Sequence, residues 1–296
     1  MLETSTEVRR GVLMMASELH ERLTAGARVV VLDVRWSLAE PDGRRSYIAG
    51  HVPGAHYVDL DRDLAGPATG PDGRHPLPAI EDLQESARRW GIDDGDLVAV
   101  YDDAGGTSAA RAWWLLRWSG VAQVRIVDGG LHAWSEIGGI LEDGEVQVAP
   151  GTITLTTGGM PTTDADGAAD FPGHGVLIDA RSTERYAGDV EPLDSRAGHI
   201  PGAVSAPTTQ NIGEDLTFRS APELQERFER MGVDSGRDVA VYCGSGVTAA
   251  HEIAALATIG VPATLYPGSW SQWSADADRP LATGLEPVDQ GSRAES

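Results

Sequence analysis

A lone cysteine, Cys243, ends the apolar run Val239-Ala240-Val241-Tyr242 and is followed by Gly244-Ser245-Gly246 and Val247-Thr248-Ala249-Ala250. The pattern predicts a buried parallel strand, a tight turn of small residues and the start of a helix. Small residues in such a turn let backbone N–H groups converge, and the positive end of the helix dipole adds to their effect. Together they stabilise negative charge on or beside the sulfur, which makes Cys243 a candidate nucleophile and its loop a candidate anion cradle. An isolated free cysteine is more often an inert core residue, and the loop is what sets this one apart. A cysteine loop built to transfer phosphate would need an arginine at the sixth residue after the nucleophile, where this chain has Ala249, so phosphoryl chemistry is disfavoured.

The elements that must position this loop can be read from the rest of the chain. It has 296 residues, 41% of them hydrophobic, with 36 glycines and 17 prolines, as expected of a loop-rich α/β protein of two ordinary domains. The formal charge is −22, and all 23 basic residues are arginine. Without lysine there can be no P-loop lysine, Schiff base or pyridoxal-phosphate anchor. The acidic balance argues against nucleic acid, so an anionic ligand would need a local arginine pocket. One cysteine rules out an internal disulfide framework and every multi-thiolate metal site. The segment 1–11 is polar and charged with no apolar core of signal-peptide length, no run of about 18 apolar residues occurs, and a cytoplasmic, reducing setting is expected.

The chain repeats itself. Val31-Leu32-Asp33-Val34-Arg35 is echoed by Leu177-Ile178-Asp179-Ala180-Arg181, and Gly50-His51-Val52-Pro53-Gly54-Ala55 by Gly198-His199-Ile200-Pro201-Gly202-Ala203. Val98-Ala99-Val100-Tyr101 then matches Val239-Ala240-Val241-Tyr242, and Asp128-Gly129-Gly130 with Trp134 matches Pro267-Gly268-Ser269 with Trp273. Helical patterns fall between these strands at 80–90, 108–118, 221–231 and 248–259, so each half is expected to be a mostly parallel sheet flanked by helices. The expected units are a non-catalytic domain at 12–141, a linker at 142–172 with a short strand at 152–156, a catalytic domain at 173–285 and a tail at 286–296. Where the second half has Cys243, the first has Asp102 or Asp103, so chemistry belongs to the second.

These motifs resemble the tandem-domain rhodanese family of sulfurtransferases, over roughly residues 16–280. The resemblance rests on the Gly-His-x-Pro-Gly-Ala signature in both halves, the single cysteine loop, and Gly268-Ser269-Trp270-Ser271-Gln272-Trp273. It implies a persulfide carried on Cys243, loaded by a small anionic donor and unloaded to a thiol, cyanide or a thioredoxin-like acceptor, without a metal or organic cofactor. The Cys243–Thr248 loop, Cys-Gly-Ser-Gly-Val-Thr, is similar to the 3-mercaptopyruvate subtype rather than to the thiosulfate subtype, which carries basic residues there. Gly244, Gly246, Val247 and Thr248 would then line the donor site. The resemblance further implies a relay from Ser245 through a histidine and an aspartate of the first half, here matched to His51 and Asp42.

By the same resemblance Arg185 would hold the donor carboxylate, as a planar guanidinium suits. Relatives place a second arginine after the following Glu-Pro, but this chain has Leu193 there, with Arg196 as the candidate substitute. The alternative is a sulfur-relay module with little small-molecule turnover. Asp33 with Arg35 and Asp179 with Arg181 recur in both halves and read as structural ion pairs. Trp113, Trp114, Trp118 and Trp134 read as packing residues, while Trp270 and Trp273 could border a cleft.

Overall fold

The computed structural model describes residues 2–37, 42–68, 71–234 and 236–285; the expected tail at 286–296 lies outside the described residues. In the first half, β1 (Leu13–Met15), β2 (Val30–Asp33), β3 (His56–Tyr57), β4 (Val98–Tyr101) and β5 (Val124–Asp128) form a parallel sheet in the order β1-β5-β4-β2-β3. In the second half, β6 (Gly175–Asp179), β7 (Val204–Ser205), β8 (Asp238–Tyr242) and β9 (Thr264–Leu265) pair in the order β7-β6-β8-β9. Reversed, the second order reproduces the first without β1, so the sequence repeat is a repeat of topology. β2, β4 and β6 are buried throughout, as β-branched and aliphatic runs covered on both faces must be.

Register carries the repeat down to single residues. Asp33 lies opposite Tyr101, and Asp179 opposite Tyr242. In each half the aspartate pairs with the arginine two residues on, Arg35 or Arg181. Those arginines donate to the carbonyls of Gly50 and Gly198, which tie strand end to signature turn. The signature histidines serve the same turns. His51 is fully buried, stacks on Tyr47 at 4.1 Å and meets the Tyr47 carbonyl through Nδ1, while His199 stacks on Tyr186 at 3.7 Å and does likewise.

The expected helices are present at Ile80–Arg89, Ala109–Trp118, Ala221–Glu229 and Val247–Thr258. Helices Ala109–Trp118 and Val247–Thr258 are buried almost all round because they pack on each other and join the two halves in one apolar core. Trp270 and Trp273 do not border a cleft: both are fully buried, with ring N–H groups bonded to the carbonyls of Arg196 and Pro280.

The linker differs from expectation. Residues 152–156 form no strand; Ile153 and Leu155 instead bury their side chains in the core while backbone bonds to Ile92 and Ser119 strap the chain across the first half. The helix Ala165–Asp170, which the low periodicity of this stretch concealed, is capped by Asp164 and packs into the second half.

Candidate active site

Cys243 leaves β8 at the carboxyl edge of the sheet, where parallel α/β folds place their ligands. Its sulfur is almost wholly buried and accepts the N–H of Gly246 at 3.1 Å. The loop is pinned from behind, because Trp270 N–H donates to the Cys243 carbonyl and Ser271 N–H to that of Gly244. Gly246 takes φ +80°, and a Cβ there would lie 2.5 Å from the Pro267 carbonyl oxygen, so only glycine closes the turn before Val247 and Thr248 open the helix.

The first half shows what such a loop holds. Asp102, the counterpart of Cys243, is fully buried and accepts N–H groups from Ala104, Gly106, Ser108 and Ala109 at 2.8–2.9 Å. The vestigial cradle is thus filled by its own carboxylate, and an amide cradle of this build is an anion site. Asp102→Ala should leave those donors buried without an acceptor and cost roughly 3–5 kcal/mol. Urea unfolding followed by tryptophan fluorescence would measure it, and a loss below about 1 kcal/mol would contradict this account.

Ser245 does not meet His51. Its hydroxyl lies 2.7 Å from Nδ1 of His75, whose Nε2 lies 3.0 Å from Oδ1 of Asp61. His51 is held by Tyr47, and its Nε2 has no hydrogen-bond partner. Asp42 is exposed and accepts the N–H of Arg44 where the helix Arg44–Ala49 begins. The expected relay residues are therefore corrected to His75 and Asp61. Burial pushes the His75 imidazole below its ordinary value; Asp61 opposes this, while Arg111 and Arg74 reinforce it. The ring is neutral near pH 7, with Nε2–H directed to Asp61 and Nδ1 free to exchange a proton with Ser245.

Arg111 underlies the loop. It is fully buried and donates to the carbonyls of Leu64, Gly246, His75 and Pro76, so one guanidinium ties the cysteine loop to the backbone of the histidine. No carboxylate among the described residues pairs with it. Burial lowers its pKa to about 10, with charge on Cys243 acting in the opposite direction, so it stays cationic. Its counterpart in the repeat is His251, which meets the Thr208 hydroxyl of its own half through Nδ1 at 2.7 Å and the Gly105 carbonyl of the other half through Nε2 at 3.1 Å.

Arg185 stands where expected. It projects from the helix Thr183–Ala187 over the loop, bonded to Glu191 and Asp194, with Nη1 only 3.3 Å from where a Cβ on Gly244 would lie. Arg196 is not a substitute cation for the donor. Its guanidinium donates to the carbonyls of Trp273, Ser274 and Asp276 at the end of the helix Ser269–Ala275, and to that of Arg279 just beyond it. Leu193 is exposed.

A signal for the missed histidine was present in the sequence. His51 recurs as His199, as a structural residue of a duplicated fold should, whereas Gly73-Arg74-His75-Pro76 has no echo in the second half. The asymmetry that singled out Cys243 applies equally to His75.

A buried thiol in an amide cradle at the head of a helix, beside a Ser-His-Asp chain and an arginine, defines a sulfur-handling active site shared between two homologous units. A family model described as a Rhodanese-like domain matches residues 15–137 and again 164–276, and the chain belongs to that family as a two-domain sulfurtransferase. Among curated relatives, the Mycobacterium tuberculosis protein named "Putative thiosulfate sulfurtransferase SseB" is 46% identical over 94% of this chain and 99% of its own length. A Pseudomonas aeruginosa protein named "Probable 3-mercaptopyruvate sulfurtransferase" is 43% identical over 92% and 98%. The crystal structure of SseA from Escherichia coli, described as a 3-mercaptopyruvate sulfotransferase of the rhodanese fold, superposes with a TM-score of 0.78 at 32% identity, covering 88% of this chain and 98% of that one. Among the described residues, no helix is long and apolar enough to cross a membrane.

Proposed function

We propose that the protein moves sulfur from 3-mercaptopyruvate, in preference to thiosulfate, through a persulfide on Cys243 to a thiol or cyanide acceptor. The names of the relatives divide between the two donors, so the choice rests on the site. The observation that carries it is the Ser245–His75–Asp61 chain beside the sulfur.

The two donors differ in what must leave. When the Cys243 thiolate attacks the sulfur of 3-mercaptopyruvate, the carbon–sulfur bond breaks with its electron pair going to carbon. The resulting pyruvate enolate must be protonated; neutral His75, its ring held by Asp61, can take the proton of the donor thiol through Ser245 as the persulfide forms and return it by the same route to the enolate carbon. With thiosulfate the sulfur–sulfur bond breaks, the pair leaves on sulfite, and no proton is needed. A built proton chain is therefore of use to the first donor only. The acceptor thiol then attacks the outer sulfur and regenerates the Cys243 thiolate.

This reading requires no metal or organic cofactor, since the sulfur is carried covalently. A reducing, cytoplasmic setting, with a thioredoxin-like protein as one acceptor, suits an enzyme that depends on a single free thiol. The expected result of single-turnover loading is faster formation of the persulfide, a gain of about 32 Da, with 3-mercaptopyruvate than with thiosulfate at equal concentration. Faster loading by thiosulfate would overturn the donor assignment, and loading by neither would turn the search to a protein donor.

A further inference from the structure

Ser269 opens the helix Ser269–Ala275 in a left-handed conformation, φ +52°, and is fully buried. Among the described residues, Leu216 alone shares that departure for a residue other than glycine. Such a conformation persists only where the surroundings over-determine it, and it collects at sites where function uses it. The Ser269 hydroxyl shows what holds it here. It accepts the N–H of Cys243 at 3.2 Å and donates to the carbonyl of Tyr266 at 2.9 Å.

That hydroxyl stands in the place of a rung of the sheet. β8 and β9 pair in parallel through Val241 and Leu265, and Tyr266 N–H donates to the Val241 carbonyl at 3.0 Å. A regular parallel ladder would next send the N–H of Cys243 to the Tyr266 carbonyl. Ser269 is inserted between the two and joins them, so the cysteine leaves β8 one hydroxyl away from the neighbouring chain. Trp270 N–H, on the Cys243 carbonyl at 3.0 Å, fixes the same residue from its other end.

The repeat supplies an internal comparison. The counterpart of Ser269 in the first half is Gly130, with the same φ of +52°. Leu131 N–H donates to the Asp102 carbonyl at 2.9 Å, as Trp270 does to that of Cys243, but a Cβ on Gly130 would lie 2.2 Å from the Asp102 carbonyl oxygen. The half with a carboxylate in its cradle leaves no space for a side chain at this point. The half with the nucleophile accommodates a strained serine there, so the two copies differ together at two residues that touch.

We propose that Ser269 is a positioning residue whose hydroxyl wedges the end of β8 away from β9 and thereby sets where the sulfur of Cys243 stands during sulfur transfer. The Gly246 N–H meets that sulfur at 3.1 Å, and the contact depends on where the cysteine backbone is held. Without the hydroxyl the rung can close, drawing the cysteine backbone toward Tyr266 and the sulfur out of line. A displacement of about 1 Å is enough to slow a reaction roughly a hundred-fold. The role concerns the nucleophile, so it applies to every donor and does not depend on the proton chain.

The test is the rate of persulfide formation in a single turnover, at saturating 3-mercaptopyruvate and separately at saturating thiosulfate, for wild type, Ser269→Gly and Ser269→Ala, with melting curves for each. Ser269→Gly installs the residue that the first half uses at the same φ, relieves the strain and lets the rung close. It should melt at or above wild type and yet load about ten- to hundred-fold more slowly with each donor that loads wild type. Ser269→Ala keeps the strain without the hydroxyl, so it should load as slowly and melt below the glycine variant, the reverse of the usual order of alanine and glycine in a helix. A serine with a merely structural role would make loading follow melting. Loading by Ser269→Gly within about two-fold of wild type overturns the proposal, as does an alanine variant that melts above the glycine one. A loss confined to one of two working donors also overturns it, because that pattern belongs to the proton chain of His75; the test therefore stands apart from the choice of donor.

Discussion

Cys243→Ser is expected to fold as wild type does and to lose sulfur transfer by at least about a thousand-fold. The exchange is nearly isosteric, and the Gly246 N–H that meets sulfur at 3.1 Å can meet a hydroxyl as well. What disappears is the nucleophilic sulfur itself, because a serine hydroxyl is far less acidic than a thiol and stays protonated without a strong base aimed at it. The candidate base His75 contacts Ser245 and not residue 243. Since the chain has a single cysteine, any covalent gain of sulfur in wild type must be at Cys243. Intact mass should show a gain of about 32 Da on wild type after donor treatment, reversed by cyanide, and none on the variant. A sulfur adduct on Cys243→Ser would refute the assignment.

His75→Asn is expected to reduce kcat with 3-mercaptopyruvate by about a hundred- to ten-thousand-fold, the usual worth of a positioned acid–base group, and to reduce thiosulfate turnover far less. The difference between donors follows from the proton that an enolate needs and sulfite does not. The pH profile gives an independent check. Burial holds His75 neutral to lower pH than an ordinary imidazole, so activity with 3-mercaptopyruvate should persist below the ordinary value of 6.5 and fall only as the ring finally protonates. The acidic limb should therefore lie below 6.5 in wild type and vanish from the residual activity of the variant. His51→Asn should instead lower stability without regard to donor, because His51 stacks on Tyr47 within a turn. Equal losses with both donors for His75→Asn would remove the relay from the mechanism.

The contrast between these two histidines shows how far the chain could be read. β2, β4, β6 and β8 were legible because buried parallel strands are short, β-branched runs between glycine-rich turns, and the helices because apolar spacing and their ends were clear. The repeat was legible because each copy must rebuild the same Asp-x-Arg pair, histidine turn and strand register. Cys243 was legible because strand, loop, nucleophile and helix follow one another within a dozen residues, and Arg185 because its motif is equally local. His51 was matched to the relay on a motif that both halves share, and Arg196 on proximity in the sequence alone.

By itself, then, the sequence determined the two-unit parallel fold, the cysteine loop at the end of β8 and the arginine that stands over it, since each depends on contacts between residues close in the chain. Only the tertiary structure decided that His75 and Asp61 line up behind Ser245, that Arg196 caps a helix, and that Asp102 fills the idle cradle. The physical reason lies in the packing of helices Ala109–Trp118 and Val247–Thr258, which brings a loop of one half, without periodicity of its own, onto the cysteine loop of the other, some 170 residues away.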